Sequence, residues 1–221
     1  MNILLTDTST NYCSVSLKVN GNIFTKLKYV PRQHDKYLID MVDSIISKAK
    51  ITKYNIHLLA YGIGPGSFTG VRVSAALMHA ISFVTKKPVL GFSSMYALAN
   101  VFHQRFMVPL ITIILNARVG GVYLGQYQFD FSNNSLIVIT EQCITIEKLT
   151  GYLSTNTTGL IVGDPIKGLD FSFVKIVNYF PDSQYMFDIV EQNYQILKSQ
   201  RKVIQNAMPI YLQGTKQWQK K

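Results

Sequence analysis

The first half of the chain alternates short apolar runs with amphipathic stretches, and this pattern predicts a mixed α/β fold. Continuous or alternating apolar runs predict strands, whereas apolar residues spaced three or four apart predict helices. The predicted strands are 3–7, 13–19, 23–30, 58–61 and 88–91, and the predicted helices are 35–50, 69–85 and 94–101. Their order along the chain is βββαβαβα.

A similar order begins again after residue 107. Strands are predicted at 108–116, 121–129, 135–145 and 159–163, and helices at 147–153 and 184–198. Strands that alternate with helices in this way indicate sheets covered by helices. The chain is therefore predicted to be a duplicated α/β domain with one lobe at 1–107 and a degenerate second lobe at 108–221.

A glycine-rich turn at 62–72 joins a predicted strand to the most apolar predicted helix. Glycine lets another backbone or a phosphate approach closely, and Ser67 or Thr69 could cap the helix that follows. The turn is either an anion-binding site at a helix amino terminus or a tight connection without a ligand. Its glycine content alone favours the second interpretation, because short glycine motifs often occur without a ligand.

Composition narrows the class of protein. Of 221 residues, 48% are hydrophobic and 15% are charged, which excludes a disordered chain. Two cysteines make no disulfide framework, and the amino terminus lacks the basic segment of a signal peptide, so a cytoplasmic protein is expected. The longest apolar runs, 73–85 and 106–115, are predicted to be too short to span a membrane.

The net charge of +10 lies mostly in the first half, where 12 basic residues face 4 acidic ones. The second half has 10 basic and 8 acidic residues. A basic surface can attract nucleic acid or an acidic partner, but a lysine-rich solvated surface gives the same count. The basic residues are scattered along the sequence, and both interpretations stay open.

Asp7 is the best candidate for catalytic chemistry. It ends the first predicted strand, beside the hydroxyls of Thr8 and Ser9. Such a group could hold a hydrated metal ion or nucleotide phosphates, or it could satisfy the backbone of a turn. The chain contains no histidine pair with helical metal-ligand spacing and no Gly-x-Ser-x-Gly nucleophile motif, so no metal site and no hydrolase are predicted. The histidines are His34, His57, His79 and His103.

Several motifs closely resemble the TsaB (YeaZ) family, the bacterial partner of TsaD in making threonylcarbamoyladenosine in tRNA. In the first half they are Asp7-Thr8-Ser9, Cys13-Ser14-Val15, His34, the string Gly64-Pro65-Gly66-Ser67-Phe68-Thr69-Gly70-Val71-Arg72, Pro88-Val89 and Ser93-Ser94. In the second half they are Asn116-Ala117-Arg118, Val122-Tyr123, Gly163-Asp164 and Pro209-Ile210-Tyr211-Leu212. The family has aspartate where this chain has Asn116 and usually arginine where it has Gln213, which puts charge-dependent contacts there in doubt.

The resemblance implies an ASKHA fold, the fold of actin, Hsp70 and sugar kinases, built from two RNase H-like lobes. It also implies a non-catalytic scaffold that binds TsaD, and with it TsaE, for threonylcarbamoyl transfer to the tRNA adenosine 3′ of the anticodon. ATP or ADP and metal would be held by TsaD and TsaE, and none by this chain alone. The chain is expected to form a homodimer when alone, to meet tRNA indirectly and to avoid membranes.

An alternative is a stand-alone ATP-dependent kinase of the same fold for a small molecule, using Asp7 and the glycine turn. Such a kinase needs a second carboxylate in the second lobe, where Asp164, followed by Pro165, is the best-placed candidate. A metallopeptidase, an older interpretation of related proteins, lacks its metal ligands here.

Two sets of site residues follow. The phosphate-proximal set is Asp7, Thr8, Ser9, Gly64, Gly66, Ser67, Thr69 and Gly70. The partner-interface set lies on the first two helices, because the second helix has little polar face and its alanines permit close approach of a neighbour. The interface set is His34, Leu38, Ile39, Val42, Ile46, Arg72, Ala75, Ala76, His79 and Ala80. The resemblance agrees, since TsaB and TsaD are thought to pair through the equivalent helices.

Overall fold

The computed structural model describes residues 1–117, 121–155, 159–163, 181–200, 207–210 and 212. Contacts between residues group the chain into two compact units. The first unit is Met1–Ala97 with Phe180–Ile210, and the second is Leu98–Tyr179 with Tyr211–Lys221.

The first unit is a five-stranded sheet with helices on both faces. Its strands are β1 (Ile3–Asp7), β2 (Tyr12–Val19), β3 (Asn22–Tyr29), β4 (Leu58–Gly62) and β5 (Val89–Phe92), and its helices are α1 (His34–Lys48), α2 (Phe68–Thr85) and α5 (Phe187–Ser199). The strand order is β3-β2-β1-β4-β5. Strands β1, β2 and β3 pair antiparallel, whereas β4 and β5 continue the sheet parallel to β1. A 3₁₀ helix, Lys53–Asn55, precedes β4.

The two faces of this sheet carry separate apolar clusters, because side chains alternate along a strand. Leu4 points to the face that α1 and α2 cover. Its neighbours Ile3 and Leu5 point to the other face, where Phe187 and Val190 of α5 cover them. The helix predicted at 184–198 therefore completes the first unit. The first unit thus contains two separate stretches of the chain, whereas the sequence pattern predicted one lobe before residue 108 and one after it.

The second unit repeats the strand pattern of the first. Its elements are β6 (Leu110–Ala117), β7 (Gly121–Asp130), β8 (Ser135–Thr145), α4 (Ile146–Thr155) and β9 (Leu160–Gly163). The order is β8-β7-β6-β9, with β6 antiparallel to β7 and parallel to β9, just as β1 pairs with β2 and β4. Helix α4 packs on this sheet through Leu149 and Leu153. The predicted duplication of an α/β unit is confirmed by this shared topology.

The predicted order βββαβαβα is confirmed for the first half, where α3 (Ser94–Phe106) is the last element. Helix α3 starts in the first contact unit and ends in the second. Helix α1 buries an apolar stripe of Leu38, Met41, Val42 and Ile45.

Helix α2, the most apolar of the predicted helices, is only partly buried. It buries one stripe, which includes Val71, Ser74 and Met78, and leaves Phe83 and Val84 exposed. Among the described residues it is also the one helix that is long and apolar enough to cross a membrane, contrary to the prediction from run length. Its buried side packs in the first apolar cluster, and its other side lies at the surface of the first unit.

Candidate functional site

Asp7 lies at the end of β1, where its carboxylate accepts hydrogen bonds from two neighbouring hydroxyls and one backbone amide. It is only 1% exposed. Oδ1 accepts hydrogen bonds from the backbone N–H of Ser9 at 2.8 Å and from its hydroxyl at 2.7 Å. Oδ2 accepts a hydrogen bond from the Ser94 hydroxyl at 2.7 Å. Burial raises the pKa of this carboxyl, and the serine hydrogen bonds oppose that rise.

Gly62, the last residue of β4, lets the Asp7 side chain lie directly on the neighbouring strand. A Cβ at Gly62 would stand 2.0 Å from Asp7 Oδ2 and 2.7 Å from Ser94 Oγ. The sequence pattern did not single out Gly62 or Ser94 as site residues. The available signals were a glycine inside a strand, which often marks close approach of another group, and the Ser93-Ser94 motif.

The glycine turn folds onto the tip of β1. A Cβ at Gly66 would lie 2.4 Å from the carbonyl oxygen of Ser9, and one at Gly70 would lie 2.0 Å from that of Thr8. The Ser67 N–H donates to the Ser9 carbonyl at 2.6 Å. The Thr8 hydroxyl donates to the Gly70 carbonyl at 2.7 Å. The glycines thus admit the chain's own backbone to the amino terminus of α2.

Of the two predicted caps, Ser67 and Thr69, the structure shows that Ser67 caps helix α2. Its hydroxyl accepts a hydrogen bond from the Gly70 N–H at 3.2 Å, whereas Thr69 lies inside the helix and is exposed. Within this turn the positive φ is at Gly64 (101°) and not at Gly70. Gly70 is required for space instead, because the atom that a side chain would meet belongs to the backbone.

Six members of the phosphate-proximal set are therefore brought together around the tip of β1: Asp7, Thr8, Ser9, Gly66, Ser67 and Gly70. Thr69 is exposed on α2, and Gly64 instead accepts a hydrogen bond from the Ser94 N–H through its carbonyl. The six members contact one another, through Asp7 with Ser9 and through Thr8 and Ser9 with the glycine turn. Nucleotide contact by these residues stays a prediction. Asp164, the candidate second carboxylate, lies outside the described residues, as do Arg118, Tyr211 and Gln213.

The interface set divides into two groups when its positions on α1 and α2 are compared. The buried group is His34, Leu38, Val42 and Ala75. The exposed group is Ile39, Arg72, Ala76 and Ala80, with Ile46 and His79 half-buried. The periodicity of α1 places Leu38 and Val42 on the sheet, so their role is packing in the core. Partner contact by the remaining residues stays a prediction.

Two exposed apolar residues near the end of α2 were missed. Phe83 is 76% exposed, and Val84 beside it is also exposed. Together with Ile39, Ala76 and Ala80 they make an apolar surface on neighbouring helices, here called the α1–α2 face. Along α2 the one residue among Asp, Glu, Lys and Arg is Arg72, and this scarcity of charge was the signal in the sequence that pointed to them.

Both histidines of the interface set turn towards the protein. His34 lies at the start of α1, and its Nε2 is 3.3 Å from the Tyr12 carbonyl oxygen. Burial lowers the pKa of His34, and the nearby carbonyl oxygens partly oppose this. His79 Nε2 lies 2.9 Å from the carbonyl oxygen of Ala207, which also accepts a hydrogen bond from the Tyr61 hydroxyl. These contacts hold α1 and the segment 207–210 in place.

Metal chemistry has no set of ligands in the part of the chain that the structure describes. Within those ranges, no three side chains of His, Cys, Asp and Glu come together. Cys13 is buried, and its thiol pKa is raised to about 12, mainly by burial. It is therefore protonated at neutral pH and unsuited to binding a metal or acting as a nucleophile.

Comparisons with known proteins agree with this architecture. The family model described as "TsaD: tRNA N6-adenosine threonylcarbamoyltransferase" matches residues 26–205. The TsaB protein of Buchnera aphidicola from Schizaphis graminum is 30% identical over 73% of this chain and 78% of its own. The TsaB protein of Escherichia coli K12 is 26% identical over 100% of this chain and 98% of its own.

A solved structure extends the likeness to the whole fold. YeaZ from Pseudomonas aeruginosa superposes with a TM-score of 0.77 at 21% identity, over 96% of this chain and 99% of its own. The two repeated sheets are thus those of a two-lobed ASKHA-type α/β protein, as the motif resemblance implied. The chain belongs to the TsaD-type family and, within it, to the TsaB (YeaZ) group.

Proposed function

We propose that this chain is a non-catalytic subunit that binds a TsaD-type transferase, and with it a TsaE-type ATPase, in the biosynthesis of tRNA threonylcarbamoyladenosine. Its TsaB relatives are named for that biosynthesis, and the family model is named for the transferase. In this proposal the transferase and the ATPase hold the nucleotide and the metal. The chain acts in the cytoplasm and pairs with itself when the transferase is absent.

The α1–α2 face is the observation that carries this proposal. Ile39 is 55% exposed although it is isoleucine, and Phe83 is more exposed still. Between them α2 presents Ala76 and Ala80, whose small side chains let another helix approach closely. Exposed apolar side chains on two neighbouring helices are typical of a protein interface, and helices with small contact residues pack at short interaxial distance.

The geometry around Asp7 supports the non-catalytic part of the proposal. A catalytic carboxylate must reach the substrate or the metal it serves. Both oxygens of Asp7 already accept hydrogen bonds from Ser9 and Ser94, and the Gly62 backbone closes one side of the group. The glycine turn next to it is packed against the backbone of Thr8 and Ser9.

A reconstitution with each component left out tests the proposal. We expect threonylcarbamoyladenosine to form when this chain, the transferase, the ATPase, tRNA, ATP and the threonylcarbamoyl donor are all present, and not when this chain is omitted. The tagged chain should also capture the transferase from a mixture of the purified subunits. ATP turnover by the isolated chain at an ordinary enzymatic rate, abolished by Asp7→Ala, would support the kinase alternative and contradict the scaffold.

A further inference from the structure

A long segment of the chain carries basic residues and no acidic ones. Between Asp43 and Asp130 there is no aspartate or glutamate. The basic residues in that segment are Lys48, Lys50, Lys53, Arg72, Lys86, Lys87, Arg105 and Arg118. In sequence they look scattered, and whether they form a surface depends on where the fold places them.

The fold brings five of these lysines to one edge of the first unit. Helices α1 and α2 both run back along the sheet to the edge where the parallel strands β1, β4 and β5 begin. The five lysines at this edge are Lys48, Lys50, Lys53, Lys86 and Lys87. We call this surface, together with Tyr54, the lysine edge.

Hydrogen bonds hold the segments of the lysine edge against each other. Asn2, just before β1, accepts from the N–H groups of His57 and Leu58 through its backbone carbonyl, and its side chain donates to the Asn55 carbonyl at 2.9 Å. The Leu59 N–H donates at 3.1 Å to the carbonyl of Pro88, which directly follows Lys87. The 3₁₀ helix also packs against α2, so the two groups of lysines are fixed as neighbours.

Two aromatic rings stand beside the amines. Tyr54 is 60% exposed, with Lys53 Nζ 5.8 Å from its ring centroid. Lys86 Nζ lies 4.4 Å from the ring centroid of Phe83. The ring of Tyr54 is not part of the apolar clusters described for this unit, so it has a face available for stacking, whereas Phe83 belongs to the α1–α2 face.

Stabilisation of helix ends does not account for this many charges. Each helix carboxyl terminus carries the equivalent of about −0.5 charge, so the ends of α1 and α2 together need about one cation. Five lysines leave an excess of roughly four positive charges at this edge. Among the residues that the structure describes, the ion pair found is Lys18 with Glu191, and it uses none of these lysines.

We propose that the lysine edge binds RNA, with its lysines on the phosphate backbone and Tyr54 stacking on an unpaired base. The identity of the RNA, the tRNA substrate, rests on the proposed function. This proposal differs from the expectation from the sequence that the chain meets tRNA indirectly. Clustered amines neutralise phosphates and release counterions, and aromatic side chains stack on single-stranded bases. An exposed ring among the amines favours RNA over an acidic protein surface, which offers no bases.

Charge reversal at the edge, with a matched control, tests the proposal. The test variant carries Lys53→Glu, Lys86→Glu and Lys87→Glu. The control carries the same charge change at exposed lysines towards the opposite end of the same sheet, Lys26→Glu, Lys28→Glu and Lys36→Glu. Binding of an unmodified tRNA transcript is measured by fluorescence anisotropy over a series of salt concentrations, with the chain alone and with the transferase bound. Circular dichroism establishes that each variant is folded.

We expect the test variant to bind at least tenfold more weakly, and its slope of log affinity against log salt to be shallower by about 2 to 3. The control should lose no more than about threefold of its affinity, since charges remote from the RNA act only through a screened field. Equal losses in both triples, or no loss in the test variant, would overturn the proposal. If the glutamate triple fails to fold, Lys53→Gln, Lys86→Gln and Lys87→Gln replace it with the same expected direction.

Two further measurements separate the sources of binding. Tyr54→Ala should weaken binding of single-stranded RNA by about fivefold or more, through the lost stacking surface. Binding of the lysine edge to phosphatidylglycerol vesicles but not to tRNA would overturn the proposal in favour of a membrane surface. The test variant should still capture the transferase. If the unmodified chain fails to capture it, the proposed function fails, while RNA binding by the free chain still decides this inference.

Discussion

At the scale of single residues, a few contacts decide which side chains are free to act. Asp7 looks catalytic by its position at a strand end, yet its oxygens are taken up by Ser9 and Ser94. The residues around it are small because each lets two parts of the backbone meet, as Gly70 does against Thr8. Substitutions at these positions should therefore change the free energy of unfolding.

Replacing Gly70 with alanine should destabilise the fold more than removing the helix cap. The added Cβ would meet the backbone oxygen of Thr8 at 2.0 Å, so the chain has to shift. We expect Gly70→Ala to lower the free energy of unfolding by about 1–3 kcal/mol, which is typical of overpacking. Ser67→Ala should lower it by less, about 1 kcal/mol. Urea denaturation measures both changes.

Gly151→Ala is the control for this comparison, because no atom lies within 4 Å of a Cβ built at that helical position. It should stabilise the protein by up to about 1 kcal/mol, the ordinary gain from alanine in a helix. A Gly70→Ala variant more stable than Ser67→Ala would show that the turn yields to the new side chain.

Asp7 should make the stability of the chain depend on pH in an unusual direction. Burial raises its folded pKa above the usual 3.8, so the folded state binds the proton more tightly than the unfolded state does. The resulting stabilisation is complete below the unfolded pKa and is lost as pH rises through the folded pKa. The free energy of unfolding of the natural chain, minus that of Asp7→Asn, should therefore fall as pH rises from about 4.

Urea denaturation across that pH range provides the measurement, with Asp40→Asn as a control for removing an exposed carboxylate. A difference between the natural chain and Asp7→Asn that grows with pH would mean that the serine hydrogen bonds outweigh burial. In that case Asp7 would be held in its charged form.

At the scale of elements, α1 and α2 each present two unlike faces. The inner faces of both helices pack in one apolar cluster with β1, β2 and β4. The outer face of α2 is apolar as well, which a helix at the surface of an isolated protein rarely is. The cluster explains the folding of these helices, and the α1–α2 face explains why we infer a partner.

A charge on the α1–α2 face should abolish partner binding without unfolding the chain. We expect Ile39→Glu or Ala76→Glu to weaken capture of the transferase, and self-association, by at least tenfold, equivalent to about 1.4 kcal/mol or more. Light scattering and pull-down measure the binding, and circular dichroism measures the fold.

The matched control is Ile196→Glu on α5, since Ile196 is 51% exposed and so resembles Ile39 in type and exposure. It should bind as the natural chain does. Folded Ile39→Glu and Ala76→Glu variants that still dimerise and still bind the transferase would move the interface to another surface.

At the scale of the whole molecule, the chain closes its first unit with a helix from near its end. Helix α5 covers the face of the sheet that α1 and α2 leave open. A buried row of hydroxyls joins the two segments, with Ser183 Oγ 2.9 Å from Ser14 Oγ and donating at 2.8 Å to Ser16 Oγ. Lys18 and Glu191 add an ion pair at 3.0 Å.

Removing the apolar anchor of α5 should destabilise the first unit as a whole. Phe187 is fully buried against Ile3 and Leu5, so Phe187→Ala should cost about 3–5 kcal/mol. Ile196→Ala, at an exposed position of the same helix, should change stability by less than about 0.5 kcal/mol. Thermal unfolding measures both, and similar effects for the two variants would show that α5 is dispensable for the first unit.

The sequence by itself determined the order of elements, the duplicated sheet pattern and the family, because these depend on local periodicity and on motifs such as the glycine turn. Tertiary structure alone decided that Asp7 is enclosed and that α5 completes the first unit. Tertiary structure also gathered five scattered lysines at one edge. Periodicity reports which side of an element is apolar, but burial depends on what packs against that side, and segments distant in the chain supply that packing.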